Sequence, residues 1–211
     1  LGVYAGAYPK RASSKLIMSG SILGISLPSF WVGMMMIYIF AVVLRLLPAS
    51  GRGNTVMVGN VALSIFAPGG IRYVILPAIT LALTNVATML RLTRSGILEN
   101  MRQDYIKFAR AKGVPAKSIL FGHALKNALI PVVTVIGLQF GSLLGGATLT
   151  ETVFAWPGVG RLLVDSIKSK DAPLVLGGVI MMTITFSIVN LCVDILYAFI
   201  DPRIKAQYKK K

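Results

Sequence analysis

Acidic residues, cysteine and histidine are scarce in this chain, and each scarcity removes a class of chemistry. Cys192 is the single cysteine and lies in an apolar run, so neither a disulfide framework nor a thiolate metal centre can be built. His123 is the single histidine, which excludes multi-histidine metal sites. Only 7 of 211 residues are Asp or Glu, and no charged pair looks like catalytic machinery. No G-x-x-x-x-G-K-S/T phosphate loop occurs, so ATP is not bound by that device. The expectation is a chain that is not an enzyme, with no catalytic residues, no metal ligands and no cofactor.

What is present is apolar and basic. Hydrophobic residues make up 55% of the chain and charged ones 14%, and the mean hydropathy is +0.74. Against the 7 acids stand 22 Lys and Arg, for a formal net charge of +15. High charge and high hydropathy coexist when they are segregated along the sequence, the pattern of a polytopic membrane protein with basic loops. A nucleic-acid binder can be as basic, but it does not carry uncharged runs of more than 20 residues. No nucleic-acid partner is therefore expected.

A membrane-spanning helix needs about 20 mostly apolar residues. Residues 16–44 form a run of 29 uncharged residues, long enough for a tilted span with Pro28 as a kink. Residues 73–90, 127–150 and 172–193 give three more, the last running on to about residue 200. The chain starts at Leu1, and "LGVYAGAYP" reads as the end of an earlier apolar segment rather than as a signal peptide. The chain is thus expected to be N-terminally incomplete. Residues 53–71 are also uncharged but hold Asn54, Gly59, Asn60, Pro68, Gly69 and Gly70. If they form a loop, residues 10–15, residues 91–126 and the tail after 200 share one side and hold 16 of the 22 basic residues. By the positive-inside rule that side is cytosolic, and residues 53–71 are extracytoplasmic. No hydrophobic segment alternates like a barrel strand, so the class is an α-helical bundle. Gly137, Gly141, Gly145 and Gly146 have the spacing of close helix packing, or of a hinge.

The densest charge lies in the loop "DYIKFARAKGVPAKSILFGHALKNALIP". "ENMRQDYIKFARAK" contains strong helix formers, with Glu99 and Asp104 early and cations late, as the helix dipole favours. Gly113 follows as a C-terminal cap, and Pro115 suits the first turn of a second helix entering the membrane near Pro131. Tyr105, Phe108, Ala109 and Lys112 fall on one stripe. Such a stripe suits docking into a partner's groove, lying on membrane lipid, or packing within the chain.

"ARAKG…HALKNALIP", residues 109–131, resembles the cytosolic loop of binding-protein-dependent ABC transporter permeases of the peptide and nickel importer branch. "ETVFAWPGVGRLLVDSIKSKDAPLVLG", residues 151–177, resembles the extracytoplasmic loop before the last helix of that branch, and "DILYAFIDPRIK", residues 194–205, its C-terminal end. Where the wider family has a Glu-Ala-Ala triplet, this chain has Lys107, Phe108 and Ala109, so only Ala109 and Gly113 carry over. The branch also has a first helix and an extracytoplasmic region that are not seen here.

The resemblance implies a type I ABC importer permease-like bundle, all-α, with a single transmembrane permease domain over residues 1–211. It implies a cytosolic coupling loop at about 93–126 and extracytoplasmic loops at about 46–72 and 151–171. It further implies a multi-pass protein of the prokaryotic cytoplasmic membrane with a cytosolic C-terminus. The implied partners are two cytosolic ATPase subunits, a second and different permease subunit, and an extracytoplasmic solute-binding protein delivering peptides or related small solutes. Tyr105, Phe108, Ala109, Arg110, Lys112, Gly113 and Pro115 would then form the ATPase-coupling element, Arg110 and Lys112 serving either as pairing groups or as topology signals only. Glu151, Trp156, Pro157 and Gly158 would gate the outer side and meet the binding protein, although Trp156 equally suits an interfacial anchor. Gln139 and Asn190 lie deep in spans and suit either a polar path or interhelical hydrogen bonds. Asp194 suits either a functional intramembrane role or an ion pair with a basic loop residue, and His123 a hydrogen-bonding surface or elbow role. The competing class is an ion-coupled secondary transporter, which would show inverted repeats and charged midplane helices.

Overall fold

The computed structural model describes residues 1–200, and the side-chain surroundings of all of these except 140–142, 144–146, 194 and 196–200. Helices α1 (Gly2–Ala7), α2 (Ala12–Ser26) and α3 (Ser29–Met36) come first, and α3 continues in wider π-helical turns over Ile37–Val43. A hairpin of β1 (Val56–Val58) and β2 (Val61–Leu63) precedes the long helix α4 (Ile71–Asn100). Then follow α5 (Asp104–Ala111), the short α6 (Ala116–Ser118), π-helical turns over Ile119–Ala124, and α7 (Leu125–Val153). Helices α8 (Val159–Lys168) and α9 (Ala172–Ile200) complete the described chain. Among the described residues, Ile71–Asn100, Ala116–Gln139 and Ala172–Val193 are long and apolar enough to cross a membrane. Ala12–Ser26 together with Ser29–Val43 makes a fourth if counted as one span. The helical membrane class expected from the sequence holds.

Several boundaries differ from the expectation, each for a physical reason. Pro28 does not kink a continuous helix. It is the N-cap of α3 at φ −60° and ψ 136°, and helix α2 has already ended at Ser26. A proline disfavours helical geometry at the residue before it and supplies no N–H to the preceding turn. Helix α4 does not stop at Leu90 but continues through Arg91 and Arg94 to Asn100. Glu99 and Asp104, expected in one helix, therefore close one helix and open the next. Pro77 and Pro131 lie inside α4 and α7, and α7 runs on through Pro131 to Val153. Residues 53–70 form no helix, and Ile71 opens α4. Their antiparallel pairing, Val56 with Leu63, Met57 with Ala62 and Val58 with Val61, closes over Gly59 at φ 64°.

The chain folds as two compact units. The first comprises Leu1–Ser26, Asn85–Phe140 and the segment from Asn190. Its core is a cluster of Ile97, Ile106, Ile119, Ala124 and Ala128, flanked by Val3, Met101, Ala109, Val114, Leu120 and Leu125. The second unit comprises Leu27–Thr84 and Gly141–Val189. There Phe154, Leu76 and Thr80 are almost fully buried, and Thr80 Oγ1 donates to the Leu76 carbonyl at 2.9 Å. The Gly51 N–H donates to the Phe154 carbonyl at 2.8 Å, and Arg52 Nε donates to Ser64 Oγ at 2.9 Å. The approach to the hairpin is thus tied down at two points.

Helix α9 shows the opposite behaviour. Leu176, Ile180, Ile184, Ile188 and Leu191 all stand exposed, and none of its apolar window is buried by the rest of the chain. A helix apolar all round is stable only in lipid or against another apolar surface. Gly137 of α7 is buried, whereas Gly141, Gly145 and Gly146 lie outside the residues whose surroundings are described. Asp194 and the basic tail lie outside them as well.

Candidate functional site

The basic loop is built on α5. Asp104 occupies its first turn and Arg110 its last, each complementing the helix dipole. At the C-terminal end the Val114 N–H donates to the Ala109 carbonyl at 3.2 Å, and the Gly113 N–H to the Arg110 carbonyl at 3.0 Å. That pair of bonds is a Schellman cap, with Ala109 and Val114 both resting on the core cluster. The cap requires Gly113 at φ +76°, with open space where a side chain would stand. The requirement is therefore one of backbone geometry and not of crowding. Gly113→Val is expected to cost about 1–2 kcal/mol and Gly113→Asn much less, read as loss of hydrogen-exchange protection in the loop amides. Pro115, expected in the first turn of the next helix, instead caps it at φ −57° and ψ 139°.

The anticipated stripe divides into two faces. Tyr105 and Phe108 are 41% and 62% exposed, and Arg110, Lys112, Gly113 and Pro115 are exposed as well. Lys112 Nζ sits 4.5 Å from the centre of the Phe108 ring, a cation–π contact that holds the ring on the surface. Ala109 turns the other way and packs on the core cluster. The residue that fastens the helix is Ile106, with 0% exposure, which the stripe reading passed over. Its signal was present, because Ile106 and Ala109 are three apart and so share a face.

A hydrogen-bond chain connects this loop to both long helices of its unit. Tyr105 Oη donates to Asn100 Oδ1 at 2.8 Å and accepts from Asn127 Nδ2 at 3.0 Å. Asn100 Nδ2 in turn donates to the Gly96 carbonyl at 2.8 Å. Tyr105 thus joins the end of α4 to the start of α7. Asn100 and Asn127 could not be found from sequence, since their partner lies 5 and 22 residues away. Tyr105→Phe is expected to lower stability by about 1 kcal/mol, seen as a small fall in melting temperature with the loop helices retained.

One ion pair lies on the exposed surface of α5, with Lys107 Nζ 2.8 Å from Asp104 Oδ1. The hydrogen bond and charge of Lys107 hold the Asp104 carboxyl below its ordinary value. The folded value is the lowered one, so the pair stabilises above the ordinary carboxylate range and is lost as pH falls through the lowered value. Full exposure screens it, and Asp104→Asn is expected to leave the helix in place.

The second candidate region is the turn between α7 and α8. The Trp156 N–H donates to the Glu151 carbonyl at 2.8 Å, and the Gly158 N–H to the Trp156 carbonyl at 2.9 Å. Glu151 Oε2 accepts the Arg161 N–H at 2.9 Å, one of the otherwise unpaired donors in the first turn of α8. The carboxylate is therefore a helix cap at the positive end of the α8 dipole. Any side chain on Gly158 would fall onto that carboxylate, which explains the glycine. Glu151 and Trp156 also border a cavity of about 220 Å³ with Pro77, Leu81 and Thr150. Pro157 is exposed. Gln139 and Asn190 are each half-buried, on α7 and α9, and His123 is exposed.

Comparison with known proteins gives consistent results. The dipeptide transport system permease protein of Alkalihalophilus pseudofirmus is 44% identical over 202 residues, covering 90% of this chain and 61% of its own length. The Escherichia coli protein of the same name is 42% identical over 200 residues, covering 88% and 59%. The glutathione transport system permease protein of Escherichia coli is 40% identical over 204 residues, covering 97% and 61%. The chain thus spans about three fifths of the length of these relatives. The family described as the binding-protein-dependent transport system inner membrane component matches residues 1–206. An apolar helical chain matched along nearly its whole length in this way belongs to that family of inner membrane transport components.

Proposed function

We propose that the chain is a permease subunit of an ATP-driven ABC importer, forming part of the path for peptides or related small solutes. The observation that carries this reading is the exposed face of α5. Tyr105, Phe108 and Lys112 stand outward on one face of a helix pinned by Ile106 and closed by Gly113, and Arg110 is exposed in its last turn. An exposed aromatic and cationic face on a rigid support suits a groove on a partner. The partner proposed is a cytosolic ATPase subunit, two of them per transporter, whose closure moves the long helices as rigid bodies. Ala109 and Pro115 shape and support that face rather than forming it.

The same reading assigns the loop within residues 93–126 to the cytosol, together with the C-terminus, and residues 46–72 and 151–171 to the outer side. The charge asymmetry supports it, with 16 of 22 basic residues on one side under that arrangement. Trp156 and Pro157, held by Glu151 and Gly158, would then meet a solute-binding protein. Gln139 and Asn190 are the proposed polar residues of the path. The bare surface of α9 supports a second permease subunit or lipid as its neighbour. Relatives named for dipeptides, for di- and tripeptides and for glutathione support a small peptide as the solute.

The test is co-purification of the transporter from native membranes in mild detergent. The unaltered chain should bring down an ATPase with a phosphate loop, and Phe108→Ala with Arg110→Ala should lose it without loss of the permease. Recovery of no ATPase from the unaltered chain would contradict the reading and favour an ion-coupled transporter.

A further inference from the structure

A second cationic feature of the first unit lies apart from α5. A cavity of about 400 Å³ opens between α2, α4 and α7, bordered by Met18, Arg91, Leu92, Arg94, Ser95 and Val135. Its level along the helices is set by the charge pattern. On α4 the uncharged run ends at Leu90, and Arg91 is the first charge after it. On α2 the last charge is Lys15, and Met18 lies about one turn beyond it. Both helices therefore change from basic to apolar at the cavity, which is the depth of lipid headgroups for a chain that crosses a membrane.

Of the two guanidinium groups there, Arg91 is exposed, whereas Arg94 carries a buried donor, its Nε, with no hydrogen-bond partner among the described residues. Neither Arg91 nor Arg94 takes part in either of the ion pairs seen among the described residues. A buried guanidinium N–H without an acceptor is costly, and the protein supplies few acids to relieve it. Guanidinium groups match phosphate oxygens in a fork, and two of them three residues apart on one helix face can hold a single phosphate between them. Beside the polar Thr88 and Ser95, the cavity has an apolar wall of Met18, Leu92 and Val135, which a freely soluble anion would not use and an acyl chain would.

We infer that this cavity is a binding site for the phosphate of an anionic phospholipid, with the headgroup on Arg91 and Arg94 and an acyl chain along Met18 and Val135. The site is independent of the proposed ATPase contact, because none of its residues lies on α5.

The experiment uses the assembled transporter in nanodiscs of equal parts phosphatidylglycerol and phosphatidylcholine, released into native mass spectrometry to count retained lipids. The unaltered complex should retain phosphatidylglycerol in preference to phosphatidylcholine. Arg91→Gln with Arg94→Gln should lower that retention about tenfold or more, as expected for loss of a charge-assisted pair. Met18→Trp, which fills the cavity and leaves both charges, should lower it as well in an intact complex. Lys168→Gln with Lys170→Gln, which removes two charges from the other unit, should leave it unchanged. Equal retention of both lipids, or unchanged phosphatidylglycerol in the Arg91/Arg94 and Met18 variants, would overturn the proposal. Displacement of the lipid by inorganic phosphate alone would overturn the lipid assignment in favour of a soluble anion.

Discussion

Replacing Ile106 by alanine is expected to release α5 from its unit and to disconnect ATP hydrolysis from transport. Ile106 is fully buried in a cluster with Ile97, Ile119, Ala124 and Ala128. Truncating such a side chain costs about 2–5 kcal/mol, part of it from the cavity left behind. The loss falls on a short helix otherwise attached by Ala109 on the core cluster, the Tyr105 hydrogen bonds and the Schellman cap. An eight-residue helix has little stability of its own, so it depends on that burial. Hydrogen exchange over residues 104–124 should rise sharply while α9 is unaffected, and uptake should be lost. Phe108→Ala gives the contrasting outcome, with protection retained and ATPase capture lost, because Phe108 is exposed. Equal behaviour of the two variants would show that α5 is not a supported contact surface.

The second large effect is expected at the α7–α8 turn. Glu151→Ala removes the acceptor of the Arg161 N–H and the negative charge at the start of α8, for a loss of about 0.5–2 kcal/mol. Gly158→Leu should be worse, since its side chain has to displace the Glu151 carboxylate itself. Both should increase exchange over α8 and reduce uptake in reconstituted vesicles, with basal ATP hydrolysis preserved. Glu151→Gln keeps an oxygen acceptor in the same place and should recover most of the loss. Failure of Glu151→Gln to recover it would mean that the carboxylate acts by its charge, on the α8 dipole or on an outside partner, and not through its hydrogen bond alone.

The sequence made the helical class legible because its uncharged runs leave few alternatives. Residues 73–90 and 172–193 do lie in long helices, and of residues 53–71 all but Ile71 lack one. The ends of these elements were less legible. Arg91 and Arg94 read as loop residues by charge, yet a helix continues through them because α5 and α7 cover its far end at Ile97. The hairpin is faintly marked: Val-Met-Val, Gly-Asn and Val-Ala-Leu have the required order, but each strand is only three residues long. Gly113 and its turn were legible, because a left-handed residue after a helix leaves a glycine in the sequence. The Glu151 cap was not, because its donor lies 10 residues away across a Pro-Gly turn. Ile106 was hidden by its louder neighbours, since aromatic and basic residues mark an exposed stripe more plainly than one isoleucine marks a buried face.

The central claim is that the exposed face of α5 contacts an ATPase subunit, and one cross-linking measurement addresses it directly. Cys192 is exposed and would be changed to serine, leaving Phe108→Cys as the single thiol within residues 1–211. A short thiol-to-amine cross-linker applied to the assembled transporter should join this position to the ATPase subunit, with yield that changes when ATP is added and trapped. The same label at Ser169→Cys, in the turn after α8, should not join it. Cross-links from Phe108→Cys to lipid or to the permease alone, under conditions where the ATPase stays bound, would contradict the account.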